Sequence, residues 1–121
     1  MDGALTLATQ HTDGTLTIAV TGELDIATSQ QLLACLDGVL TQLAHHRRAG
    51  HNGDRAVNRL VIDTSSVSFI DAHGLGVLVA MQNRARHHNI ALRLVAPSAA
   101  VRQVLTITGM RYHFLPYPGA T

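Results

Sequence analysis

The stretch LVIDTSSVSFIDAHGLGVLV, residues 60–79, decides how the chain is read. Leu60-Val61-Ile62 is a short continuous apolar run that ends at Asp63. Such a run predicts a central strand buried on both faces. Thr64 to Ser68 reads as a polar turn, because Ser and Thr hydroxyls bond readily to nearby backbone. Phe69-Ile70-Asp71 follows, and from Gly74 the period changes. Leu75, Leu78, Met81 and Ala85 recur at helical spacing, which predicts a helix to about His88. Asn89 is suited to close it in a left-handed conformation. A buried strand feeding a helix is the repeating unit of an α/β fold.

The flanking sequence extends this pattern in both directions. Leu5 and Leu7 alternate with Thr6 and Ala8 as a strand does, and Asp13-Gly14 reads as a hairpin turn. Thr15 to Thr21 alternates, with Leu16, Ile18 and Val20 on the core side. After Gly22-Glu23-Leu24-Asp25 and Ile26-Ala27, a helix is expected from about Thr28. Thr28 and Gln31 have the spacing of a capping box. Leu32, Leu33, Leu36, Val39, Leu40 and Leu43 form its apolar stripe. Residues 44–58 carry His45, His46, Arg47, Arg48, His51, Asp54 and Arg55 with no periodicity, and predict an exposed loop insertion. Downstream, Ala91 to Val95 is a further strand. Ser98 is a candidate N-cap for a third helix with Val101, Val104 and Leu105 inward and Gly109 at its end. Phe114-Leu115 is expected to be a last short strand, stopped by Pro116 and Pro118. The expected order is β β α β α β α β, an α/β fold with a mixed sheet.

Composition narrows the function. The 121 residues suit one domain, and the 46% apolar share suits a real core. Aromatics are 3% with no Trp, which argues against stacking platforms for single-stranded nucleic acid. A net charge of +1 is far from the basic balance of a nucleic-acid binder. The nine basic residues are all Arg, so Lys-dependent chemistry is excluded. There is no Walker-type phosphate loop and no Gly-x-Ser-x-Gly elbow. Cys35 stands alone, and reads as a small core hydrophobe. Met1 to Ala8 lacks the pattern of a secretory signal, and no apolar stretch approaches the roughly 18 residues of a membrane span. A cytoplasmic protein without cofactor or metal is the expectation.

Two polar spots stand at the expected C-terminal ends of strands, where α/β sheets place their working loops. One is Gly22-Glu23-Leu24-Asp25. The other is Asp71-Ala72-His73-Gly74-Leu75-Gly76, at the start of the second helix. Asp25 and Asp71 also have a purely local reading: Asp71 caps the helix, and Asp25 bonds loop amides. Thr64, Ser65, Ser66 and Ser68 offer hydroxyls at the same end, and turn chemistry accounts for them as well. His45, His46 and His51 are the one candidate metal group, and a solvated loop explains them better. His87 and His88 suit a helix C-terminus.

Taken together, Gly22-Glu23-Leu24-Asp25, Leu60-Val61-Ile62-Asp63, Phe69 to Leu78 and the tail pattern Ala96-Pro97-Ser98, Val101, Val104-Leu105, Thr108-Gly109 resemble the STAS domains of bacterial anti-sigma factor antagonists. The likeness runs from about Leu5 to Leu115. It implies one STAS domain, with a mixed sheet and helices packed mainly on one face. It also implies a non-enzymatic role: the antagonist binds an anti-sigma factor of the serine-kinase type, which frees a sigma factor for transcription. In that family the kinase then phosphorylates a Ser or Thr just before the helix-two Gly, and the added charge, about −1.5 to −2, dissolves the complex.

Carried onto this chain, the phosphosite-equivalent position is His73, and the implied docking residues are Asp25, Asp71, Ala72, His73, Gly74 and Leu75. His73 departs from the pattern, because it has no hydroxyl. It reads as a non-phosphorylatable residue that still binds, as a bulky residue that spoils kinase binding, as a phosphohistidine or metal ligand, or as a tolerated change. The resemblance also leaves room for an accessory subunit of a lipid-transport or stress-sensing complex. A monomer or weak homodimer is expected, without nucleic acid and without a membrane span.

Overall fold

A computed structural model describes residues 5–48 and 57–114, with backbone alone over 43–48. The elements are β1 (Thr6–Thr12), β2 (Thr15–Leu24), α1 (Ser29–Arg48), β3 (Arg59–Ile70), α2 (Ala72–His87), β4 (Ala91–Val95), α3 (Ala99–Thr108) and α4 (Arg111–Phe114). The sheet order is β1-β2-β3-β4. β1 and β2 are antiparallel, while β2, β3 and β4 run parallel, so the sheet is mixed as expected.

Local chemistry sets most of the joints. Asp13 and Gly14 both take positive φ, 48° and 80°, which closes the β1–β2 hairpin with the twist that strands require. Asn89 sits at φ 59° after α2, and the Ile90 N–H reaches back to the Ala85 carbonyl at 2.9 Å. Ser98 Oγ accepts the Val101 N–H at 3.2 Å and caps α3, which Gly109 ends at φ 74°.

One side of the sheet is packed. Ile18, Ile62 and Leu94 lie in one row across β2, β3 and β4, and all are buried. Leu32 and Leu36 of α1, Leu78 and Met81 of α2, and Val101 and Leu105 of α3 join the same core. Each such side chain contributes about 1.5–3 kcal/mol on burial. Asp37 and Arg84 form an exposed ion pair between α1 and α2.

Several expectations need correction. Val61 is only half-buried, and Arg93 in register with it is exposed, so β3 is central but covered on one face. Thr64 to Ser68 is strand, not turn. Between Ala19 and Thr21 the partner steps from Asp63 to Ser66, and between Gly22 and Glu23 from Val67 to Phe69. β3 thus holds an extra residue at two bulges, and its buried positions there fall three apart, at Thr64, Val67 and Ile70. That spacing hides the strand from a period-two reading.

The capping box does not form. Asp25 Oδ1 already takes the Thr28 N–H at 3.0 Å, and Gln31 Nε2 donates to the Leu5 carbonyl at 2.9 Å instead. α1 runs to Arg48, so residues 44–48 of the expected loop are helical, and no strong helix breaker follows Leu43 until Gly50. The rest of that loop up to residue 56 lies outside the described residues. The expected strand at Phe114 is the helical turn α4, which buries Phe114 while leaving Arg111, Tyr112 and His113 exposed. Leu115 lies outside the described residues.

Candidate functional site

β2 and β3 end side by side, with Leu24 in register with Ile70, and both are buried. This pairing brings the two polar spots of the sequence together. The Asp71 N–H donates to the Leu24 carbonyl at 3.2 Å, joining the start of α2 to the end of β2.

Asp71 is the N-cap of α2, with extended backbone at φ −115° and ψ −170°. Its Oδ1 accepts the Gly74 N–H at 3.0 Å, and its carbonyl accepts the Leu75 N–H at 3.0 Å. Gly74 lies against the end of β2. A Cβ built there would stand 2.5 Å from the Leu24 carbonyl oxygen and 2.9 Å from Leu24 Cβ. Any side chain would therefore lift α2 off the strand. Gly76 meets nothing within 4 Å, so the tight fit belongs to Gly74 and not to Gly76.

Asp25 organises the loop that leads into α1. Its Oδ1 accepts the N–H of Ala27 at 2.9 Å and of Thr28 at 3.0 Å. The Thr28 hydroxyl accepts the Asp25 N–H at 3.1 Å and donates to the Glu23 carbonyl. The backbone bond from Thr28, then that from Ala27, holds the Asp25 carboxyl below its usual range against an opposing desolvation effect. The local readings of Asp25 and Asp71 are thus both realised.

The six residues singled out in the sequence divide by exposure. Ala72 and His73 are exposed, Asp25, Asp71 and Leu75 are half-buried, and Gly74 is buried. His73 Nδ1 stands 3.9 Å from Asp71 Oδ2, and the imidazole is 59% exposed. Thr64 is fully buried, so its hydroxyl is withdrawn from the surface, whereas Ser65, Ser66 and Ser68 are exposed. Ser68 Oγ donates to the Gly22 carbonyl at 3.3 Å. Of the histidines, His51 lies outside the described residues, and His45 and His46 are described by backbone alone. Among the described residues no three His, Cys, Asp or Glu side chains gather as a metal site. No described helix is long and apolar enough to cross a membrane.

Sequence reasoning missed two residues at this end. Ile26 is 66% exposed and Phe69 is 47% exposed. Phe69 lies in register with Glu23, next to the buried pair Leu24 and Ile70. Strand alternation would have turned Phe69 outward once Ile70 was assigned to the core, but the bulges concealed the strand.

Comparison with known proteins sets this geometry in context. A family model described as the STAS domain matches residues 6–118. An anti-sigma factor antagonist from Mycobacterium paratuberculosis is similar in structure, with TM-score 0.68 and 24% identity over 93% of this chain and 86% of the other. The unphosphorylated form of the anti-sigma factor antagonist SpoIIAA is similar too, with TM-score 0.65 and 23% identity over 87% of this chain and 82% of that one. The phosphorylated form of SpoIIAA, from Bacillus, has TM-score 0.60 and 23% identity over 87% and 85% of the two chains. A search of the curated proteins finds no match by sequence.

Proposed function

The chain belongs to the STAS-domain family, and on that premise we propose that it is an anti-sigma factor antagonist, acting in the cytoplasm by binding a kinase-type anti-sigma factor and not by catalysis. The similar structures that carry the name anti-sigma factor antagonist support this reading. The single observation that carries it is the solvent-facing start of α2. Ala72 and His73 are exposed there, beside the Asp25 loop that the Leu24–Asp71 bond holds in place. Asp71 and Gly74 hold this surface rigid, and Ala72, His73 and the exposed rim of Leu75 meet the partner.

His73 sets the regulation. A phosphoserine at this position would add about −1.5 to −2 charge beside Asp25 and Asp71, which expels a docked partner. An imidazole offers no hydroxyl, so the complex is not released by phosphate ester formation at this residue. The test is a binding titration against a kinase-type anti-sigma factor with ATP present, comparing the natural protein with His73→Ser. The natural protein is expected to bind and stay unmodified, while the variant is phosphorylated and released. Binding by neither protein removes the reading. Binding by the variant alone shows that His73 blocks the partner.

A further inference from the structure

Four large apolar side chains are exposed among the described residues: Ile26, Phe69, Ile107 and Tyr112. Single exposed apolar residues are ordinary on protein surfaces and need no explanation. Ile26 and Phe69 differ because they flank one junction. Ile26 lies two residues after Leu24, Phe69 lies two residues before Asp71, and Leu24 and Asp71 are bonded to each other. The bulge between Gly22 and Glu23 puts Phe69 opposite Glu23, while the next pair, Leu24 and Ile70, goes to the core. The register thus turns Phe69 outward at the place where α2 begins.

The charged residues in the segments that carry them are of one sign. Residues 15–36 and 60–83 contain Glu23, Asp25, Asp63 and Asp71 and no Arg or Lys. The arginines nearest in sequence stand at the other end of the same elements, Arg59 at the start of β3 and Arg84 and Arg86 in the last turn of α2. A net charge of +1 therefore conceals an acidic β2–β3 junction, while Arg102, in the first turn of α3 at the same end of the sheet, bonds the Pro97 carbonyl. Apolar anchors within a polar rim are the usual build of an interface, where the anchors carry most of the affinity. A rim of carboxylates meets an anionic partner only at the cost of repulsion and uncompensated desolvation.

We propose that Ile26 and Phe69 are the apolar anchors of the docking face, and that its protein partner presents apolar pockets ringed by Arg or Lys. This rests on the docking function proposed above. It adds two residues outside the six named from the sequence, together with the sign of the partner's charge.

The experiment titrates the full chain with a kinase-type anti-sigma factor, using Ile26→Ser, Phe69→Ser and, as a surface control, Ile107→Ser, over a series of NaCl concentrations. Thermal melts confirm that each variant is folded, and Ile26→Ser gives a reading from the loop should Phe69→Ser disturb the strand. Each anchor variant is expected to weaken binding by about thirtyfold, the loss typical of a truncated interface anchor. The control should bind like the natural protein, and affinity should fall as salt rises.

Binding unchanged by both anchor variants, while Asp71→Asn weakens it, overturns the anchors and leaves the docking function standing. Affinity that does not respond to salt overturns the cationic rim. Absence of binding by the natural protein overturns the docking function, and this inference with it. A dimer of the protein alone that Phe69→Ser dissociates would show that a second copy occupies the face, which also overturns the proposal.

Discussion

Gly74 stands so close to Leu24 that a Cβ added to it would lie 2.5 Å from the Leu24 carbonyl oxygen. The same oxygen accepts the Asp71 N–H. One backbone group of β2 therefore sets both the position and the angle at which α2 starts. Gly74→Ala is expected to destabilise the fold by about 1–3 kcal/mol, the usual result of forcing a methyl into occupied space. Gly76→Ala, two residues on and free of neighbours, is expected to stabilise by about 0.5–1 kcal/mol, the helix preference of Ala over Gly. Urea denaturation of the two variants checks this, and equal effects would remove the close-contact explanation.

Asp71 has two separable contributions, a cap and a charge. Asp71→Ala loses the bond to the Gly74 N–H and should cost about 1 kcal/mol. Asp71→Asn keeps an oxygen to accept that bond, so its thermal midpoint should stay near that of the natural protein. Its binding to a cationic partner should nonetheless weaken. A thermal melt and a titration on each variant separate the two effects.

Asp25 makes stability depend on acid. Its carboxyl is held below the usual value by the N–H groups of Thr28 and Ala27. A carboxyl lowered in the folded state contributes stability above its unfolded value of about 4, and this is lost as pH falls through the folded value. Thermal midpoints from pH 6 down to pH 3 should therefore fall less steeply for Asp25→Asn than for the natural protein. Parallel curves would mean that the loop bonds carry no pH-dependent stability.

Cys35 packs partly against the core, and burial pushes its thiol up. The thiolate is the reactive form, so alkylation by iodoacetamide at pH 8 should run several-fold slower than for a free cysteine in solution. Urea should restore the ordinary rate. A fast reaction in the folded protein would show that Cys35 is far more open than its packing implies.

The site was only partly legible beforehand. Asp71 as a cap and Asp25 as a loop acceptor follow from short-range chemistry, since each bonds residues two or three positions on. Ile26 and Phe69 were not legible as surface residues, because Ile26 lies in a turn without periodicity and the bulges hid the strand whose alternation turns Phe69 outward. Val61 failed for a different reason. A run of three apolar residues cannot say whether a second layer covers the outer one.

By itself the sequence determined what depends on neighbours in the chain. The order of strands and helices up to α3, the Asp13-Gly14 turn, the Ser98 cap and the left-handed Asn89 and Gly109 each follow from residues within one turn of one another. The tertiary structure alone decided what depends on register between distant segments. The two β3 bulges arise only when β3 is laid against β2, and they set which way Phe69 faces. The need for glycine at residue 74 comes from Leu24, fifty residues earlier, because packing leaves no room for a Cβ against the Leu24 carbonyl oxygen.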